Sequence, residues 1–214
     1  MDRMRYSQAA LTIAPGPRSV ETDWRQSLPV LRGRSITLRE LRFSDAPTLL
    51  SMLSAQEVAR FISPPPSTVD GYERFIGWTH AERAAGNYLC FGIVPNGMDA
   101  AVGVLQIRQT EPGFSTGEWG FALGSPFWGK GMFMEGAELL LDFAFDVVGV
   151  HRLEARAVVH NGRGNGALRK VGALQEGVLR RSLLRNGEYL DQVLWAIIDS
   201  DRRYARAYSG PSVH

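Results

Sequence analysis

The chain predicts an α+β domain built on a mixed, partly parallel central sheet of about seven strands flanked by helices. Three observations predict it. Strand and helix periodicities follow one another along the chain, turn signals such as Asn96-Gly97 punctuate the early strands, and one strand–helix–strand unit lies in the middle, between Gly117 and Val159. Hairpins join strands antiparallel, whereas a strand that returns through a helix lies parallel to its predecessor, so the two together give a mixed sheet.

The elements justify this in order. Residues 1–30 carry Pro15-Gly16-Pro17 and Pro29 with little periodicity and read as an extension; 31–200 carry the domain, and 201–214 read as a tail. Ile36, Leu38 and Glu40 alternate with Thr37, Arg39 and Leu41, which predicts a strand over Ser35–Leu41. Asp45, with Pro47 in the first turn, predicts the N-cap of a helix running to about Leu53. Pro64-Pro65-Pro66 has no backbone donors, so 60–67 form a stiff loop. A helix over Thr68–Ala85 ends at Gly86, and strands follow at Leu89–Val94, Ala100–Arg108 and Gly117–Leu123. The next helix places Phe133, Ala137, Leu140, Leu141, Ala144 and Val148 at core-facing spacing. Opposite them Glu135, Glu138, Asp142 and Asp146 form an acidic stripe that reads as a solvated face. A strand over Arg152–Val159, a short helix after His160-Asn161 ending near Gly172, and strands at Ala173–Leu184 and Glu188–Ile198 complete the domain.

Composition narrows the function classes. With 24 basic and 22 acidic residues the net charge is +2, so no global positive field marks a nucleic-acid binder, and Arg180-Arg181 and Arg202-Arg203 read as solvated. The single cysteine, Cys90, excludes an internal disulfide and a cysteine-cluster metal centre, and its apolar setting between Tyr88 and Val94 reads as core. No 18-residue apolar span occurs, and Ala9–Ala14 is too short for a signal peptide. The expectation is a cytoplasmic protein with no metal and with neither membrane nor nucleic acid as a partner.

The most informative segment is Gly124-Ser125-Pro126-Phe127-Trp128-Gly129-Lys130-Gly131, which opens directly into the helical pattern ending at Gly149. The first amides of a helix have no partner inside it and carry partial positive charge. Glycines let the backbone approach a ligand closely. Together with Lys130 this suits a phosphate or pyrophosphate. It is neither a Walker loop, since no Gly-Lys-Ser/Thr follows, nor a dinucleotide fingerprint, since the third glycine is missing.

The order of elements, and four motifs within it, resemble the GNAT superfamily of acyl-CoA-dependent N-acetyltransferases, closest to the ribosomal-protein N-terminal (alanine/serine) acetyltransferase-like branch. The motifs are Glu118-Trp119-Gly120-Phe121 running into Trp128-Gly129-Lys130-Gly131; Phe143 and Phe145 before His151-Arg152; Asn161 eleven residues before Gly172; and Gly177-Val178-Leu179-Arg180 opening the final hairpin. They lie within residues 35–198.

The resemblance implies acetyl-CoA as cosubstrate, lying in a gap between Gly117–Leu123 and Arg152–Val159. Its pantetheine would meet the Phe121, Ala122 and Leu123 amides, and its pyrophosphate those of Trp128, Gly129, Lys130, Gly131, Met132, Phe133 and Met134. Asn161 and Asn165 would be polar contacts to the sulfur or pantetheine, and a primary amine (a protein N-terminus or a small-molecule amine) would be the acceptor. A protonated amine is a poor nucleophile, so the reaction needs a base, and Glu118 holds the matching position on the face it shares with Gly120 and Ala122. The developing oxyanion would take an amide near Phe121 or Ala122. The acceptor mouth would be lined by Phe61–Ser67, Tyr72 and 186–189. The chain departs from the family pattern at Phe133, where glycine or alanine is usual, at Leu168, where many relatives carry tyrosine, and at Gly164, where the closer branch places serine. His160 is the other candidate acid. The alternative reading is a non-catalytic acyl-CoA-binding sensor or scaffold of the same fold; a homodimer is left open.

Overall fold

The computed structural model describes residues 23–185 and 187–202. One sheet of eight strands organises them: β1 Leu31–Arg32, β2 Ile36–Glu40, β3 Tyr88–Pro95, β4 Gly103–Gln109, β5 Thr116–Leu123, β6 Arg152–Val158, β7 Leu174–Arg185 and β8 Glu188–Ile198, in the order β1-β2-β3-β4-β5-β6-β8-β7. The eighth strand is the two-residue β1, too short to show a period. All neighbours pair antiparallel except β5 and β6, which are parallel and joined through helix α4, Met132–Phe143, and the π-helical turn Ala144–Val148.

The sheet separates two apolar layers. On one side α1 (Ala46–Leu53), α2 (Gln56–Ala59) and α3 (Val69–Ala85) cover Tyr88, Cys90, Val104 and Ala122. On the other, α4 and α5 (Gly162–Lys170) cover Leu89, Phe91, Leu105, Ile107 and Leu153. Strand β3 is buried along its whole length because both faces are covered. Cys90 lies there, and burial pushes its thiol well above the usual range. The second layer extends before residue 31: Trp24 and Leu28 are buried in it, with Trp24 meeting Phe114 edge-on at 5.6 Å.

Helix α3 follows its signals. The Thr68 side chain accepts from the Gly71 amide, and Gly86 closes the helix at φ +81°. Asp45 differs from the expectation. It precedes α1 without a side-chain cap bond, and its carboxylate is fully buried between Arg39 (both oxygens at 2.8 Å), the Arg42 amide at 2.7 Å and the Ala101 amide at 2.9 Å. Ala101 is held by that bond, and β4 starts at Gly103.

The acidic stripe of α4 is in large part solvated, as expected, with Glu138 and Asp142 about half exposed and Asp146 exposed, but it is also paired. Glu135 accepts from the Arg34 and Ser35 amides and the Ser35 hydroxyl, and Glu138 and Asp142 both pair with Arg202, itself 9% exposed. The stripe ties down the segments at both ends of the domain. Arg202 is therefore buried and paired, while Arg180 and Arg181 are exposed; Arg203 lies outside the described residues.

Candidate functional site

Strands β5 and β6 pair only over Thr116–Glu118 and Arg152–Glu154. Beyond that point β5 stays with β4, through Leu123 opposite Gly103, and β6 stays with β8, through Val158 opposite Gln192. A Cβ at Gly103 would sit 2.5 Å from the Ala122 carbonyl oxygen, so glycine there allows β4 to hold β5 this closely. The two strands consequently part just past Glu118 and open a cleft toward the N-termini of α4 and α5.

The cleft is a cavity of about 820 Å³. Phe121, Ala122 and Leu123 line it from the strand, Trp128, Gly129, Gly131, Phe133 and Met134 from the glycine turn, and Asn161 from the start of α5. The turn runs from Gly124 through the 3₁₀ turn Ser125–Phe127 to Gly129 at φ +73° and Gly131 at φ +79°, and Gly131 is the N-cap of α4. Among the described residues nothing beyond the adjoining chain lies within 4 Å of where a Cβ would stand at either glycine, so the backbone itself faces the open space. The Trp128 indole donates to the Leu123 carbonyl at 2.7 Å and locks turn to strand. Phe133 packs against Phe121 with ring centroids 4.3 Å apart and the planes tilted by 43°, so the departure at Phe133 builds an apolar wall.

Four expected site residues send no side chain into the cavity lining, though Lys130 and Met132 keep their amides at the turn. Lys130 turns its ammonium over the Phe127 ring at 5.5 Å, and Met132 packs on the core. Asn165 does not reach the cleft: its amide donates to the Val158 and Asn161 carbonyls and its oxygen accepts from the Trp195 indole, all at 2.9 Å, bracketing β6, α5 and β8. Glu118 is outside the cavity lining, at the last paired position of β5, and accepts from Arg108 at 2.6 Å. Its side chain is 23% exposed. Asn161 lines the cavity while its oxygen caps the Gly164 amide at 2.9 Å.

Neither the two positions where relatives carry serine or tyrosine nor His160 brings an acid to the cleft lining. A Cβ at Gly164 would stand 2.5 Å from the Asn161 side-chain nitrogen, so glycine there lets Asn161 hold its present cap, which a serine would force to shift. Leu168 is buried in the core, and His160 is exposed in the turn before α5. Phe61 and Ile62 line the cavity, whereas Tyr72 is on the buried face of α3, its phenol pushed up to about 12 by burial; residue 186 lies outside the described residues.

Several lining residues were not read from the sequence. Glu57 on α2 accepts from the Ser125 hydroxyl at 2.7 Å, a bond that, with one from its own backbone, holds its carboxyl below the usual range. Arg163, Gly166, Ala167 and Lys170 line the opposite wall. Their i, i+3, i+4, i+7 spacing was a legible signal of one helical face. The Arg163 guanidinium lies 4.2 Å over the Trp128 ring, spanning the cleft from α5 to the glycine turn. Among the described residues no acidic, histidine or cysteine cluster fit to hold a metal occurs, and no helix is long and apolar enough to cross a membrane.

A sheet whose parallel strands splay onto a glycine-opened helix is the arrangement that the resemblance to the GNAT superfamily implies. Comparison with known proteins agrees. The acetyltransferase (GNAT) domain family matches residues 35–174, and the chain belongs to that family as an N-acetyltransferase. It is 27% identical over 178 residues to the "Probable N-acetyltransferase YjcK" of Bacillus subtilis (strain 168), covering 80% of this chain and 98% of that one. It is 25% identical to the ribosomal protein uS5-alanine N-acetyltransferase of Escherichia coli (strain K12), over 61% of this chain and 68% of the relative. Among solved structures, Mycobacterium smegmatis RimJ in complex with CoA-disulfide superposes with a TM-score of 0.72 at 25% identity, covering 84% of this chain and 91% of the other.

Proposed function

We propose that this chain moves an acetyl group from acetyl-CoA to a primary amine by direct attack. The observation that carries the proposal is the parting of β5 from β6 directly onto the unpaired amides and positive-φ glycines of the α4 N-terminus. The pyrophosphate fits those amides. The pantetheine fits the free edge of β5 at Phe121–Leu123, running as an extra strand along an apolar wall, with Arg163 and Lys170 as cations on the facing helix.

The cosubstrate's thioester then points to the end of the cleft where the strands meet, beside Gly120 and Glu118. The amine nitrogen attacks the carbonyl carbon, the C–S bond breaks, and the electron pair leaves on sulfur. Because Glu118 sits beyond the cavity wall, we assign it as a base acting through one water. The Leu168 and Gly164 positions carry no acid, so the thiolate leaves without a protein proton donor; a thiol with a pKa of about 8.5 is a tolerable leaving group. The uS5-alanine N-acetyltransferase relative supports a protein N-terminus as the acceptor class; a small-molecule amine is the other class the reaction could serve.

The test is acetyl-CoA binding by calorimetry with thiol release over a panel of amines. Gly131→Val forces a β-branched residue into φ +79° and puts its side chain into the open space over the turn. It should weaken acetyl-CoA binding at least tenfold while the variant stays folded. Unchanged affinity in a folded variant would remove the phosphate site from α4. Tight binding with no turnover for any amine would favour the sensor reading.

A further inference from the structure

We propose that Gln106 is a positioning residue that holds the water through which Glu118 takes the acceptor's proton; the proposal rests on the acetyl-transfer reading. On the face of the sheet toward α1–α3, Gln106 stands opposite Gly120 and the neighbouring Arg108 stands opposite Glu118. The Tyr88 hydroxyl donates to Gln106 Oε1 and fixes the amide, leaving Nε2 over Gly120. Nε2 has no partner among the described residues. It lies 3.4 Å from where a Gly120 Cβ would stand, and among the described residues beyond the adjoining chain the only other atom within 4 Å of that point is Gln106 Cγ at 3.8 Å. Glu118 shares this face two residues away, about 6.6 Å along the strand.

The absent side chain at Gly120 leaves a space with a fixed donor on one side and a carboxylate on the next position, at the point where β5 and β6 separate. One water there accepts from Gln106 Nε2, donates to Glu118 and accepts the N–H of the entering amine. As the nitrogen lone pair forms the C–N bond, the amine proton passes to the water and a water proton passes to the Glu118 carboxylate. Arg108 pairs with Glu118 Oε2, and the water is assigned to Oε1. This explains how a carboxylate outside the cavity lining can serve the reaction inside it.

Gln106→Met keeps the side chain's length and removes the donor. We expect kcat to fall roughly 10- to 100-fold, the effect of one lost hydrogen bond to the reacting assembly, with the acetyl-CoA KM within twofold of wild type. In a Glu118→Gln background the same substitution should change kcat less than threefold, because the water no longer delivers a proton to a base. Tyr88→Phe, which removes only the anchor, should give a smaller loss that also vanishes in the Glu118→Gln background and serves if Gln106→Met does not fold. Wild-type turnover in folded Gln106→Met, or an undiminished loss in the double variant, would overturn the proposal while leaving the acetyl-transfer reading intact. That reading fails separately, if the wild-type protein itself transfers no acetyl group.

Discussion

Asp45 carries the sharpest residue-scale lesson. Its place before a helix with proline in the first turn reads as a cap, but no helix amide takes its carboxylate, because Arg39 and the Ala101 amide arrive from elsewhere in the fold. Burial alone would push the carboxyl up. The Arg39 bonds and charge, with the Arg42 and Ala101 amides, outweigh it and hold the group below the usual range. A depressed folded pKa adds stability that is present above the unfolded value of about 3.9 and disappears as pH falls through the folded value. Asp45→Asn leaves Arg39 buried without its partner and should cost about 3–5 kcal/mol at pH 7. The gap between wild-type and variant stability should hold from pH 7 to 5 and narrow below pH 4, measured by denaturant unfolding at each pH. A gap independent of pH would mean that the ionised carboxylate contributes no more than its shape. Glu118 shows the same limit of sequence reading: its alternation with Gly120 and Ala122 was legible, while its distance from the cavity depends on where β5 and β6 part, which no local pattern states.

At the element scale, what could be read was what local chemistry fixes. The turn at 124–131 was legible because helix-opening glycines act through their own φ angles, and both Gly129 and Gly131 take positive φ. Helix α3 was legible at both ends for the same reason, through the Thr68 cap and Gly86. Thr68→Ala should therefore cost about 1 kcal/mol, seen as a lower denaturant midpoint at unchanged slope, with kcat unaltered. A loss below about 0.3 kcal/mol would mean that tertiary packing alone sets the start of α3. Asn165 was misplaced because asparagine next to a turn reads equally as ligand contact or bracket, and only the Trp195 indole on β8 decides between them. The pairing of the α4 stripe was not legible since its partners, Ser35 and Arg202, lie about 100 and 60 residues away in the chain.

Across the whole molecule, α4 joins function to stability. Its N-terminus faces the cleft, its apolar side forms the core, and its acidic side holds the start and end of the domain. The core beneath it draws on Trp24, which lies before the first strand, is 6% exposed and packs edge-on against Phe114 next to the start of β5. Trp24 is far in sequence from every residue lining the cleft, so its contribution should appear in unfolding and not in ligand binding. Trp24→Ala removes a large buried aromatic from a packed site and should cost about 3–5 kcal/mol. Acetyl-CoA affinity, measured well below the unfolding transition, should stay within twofold of wild type. A destabilisation under about 1 kcal/mol would mean that the segment before β1 rests on the domain without completing its core. A parallel loss of affinity would mean instead that packing at the base of β5 sets the width of the cleft where β5 and β6 separate.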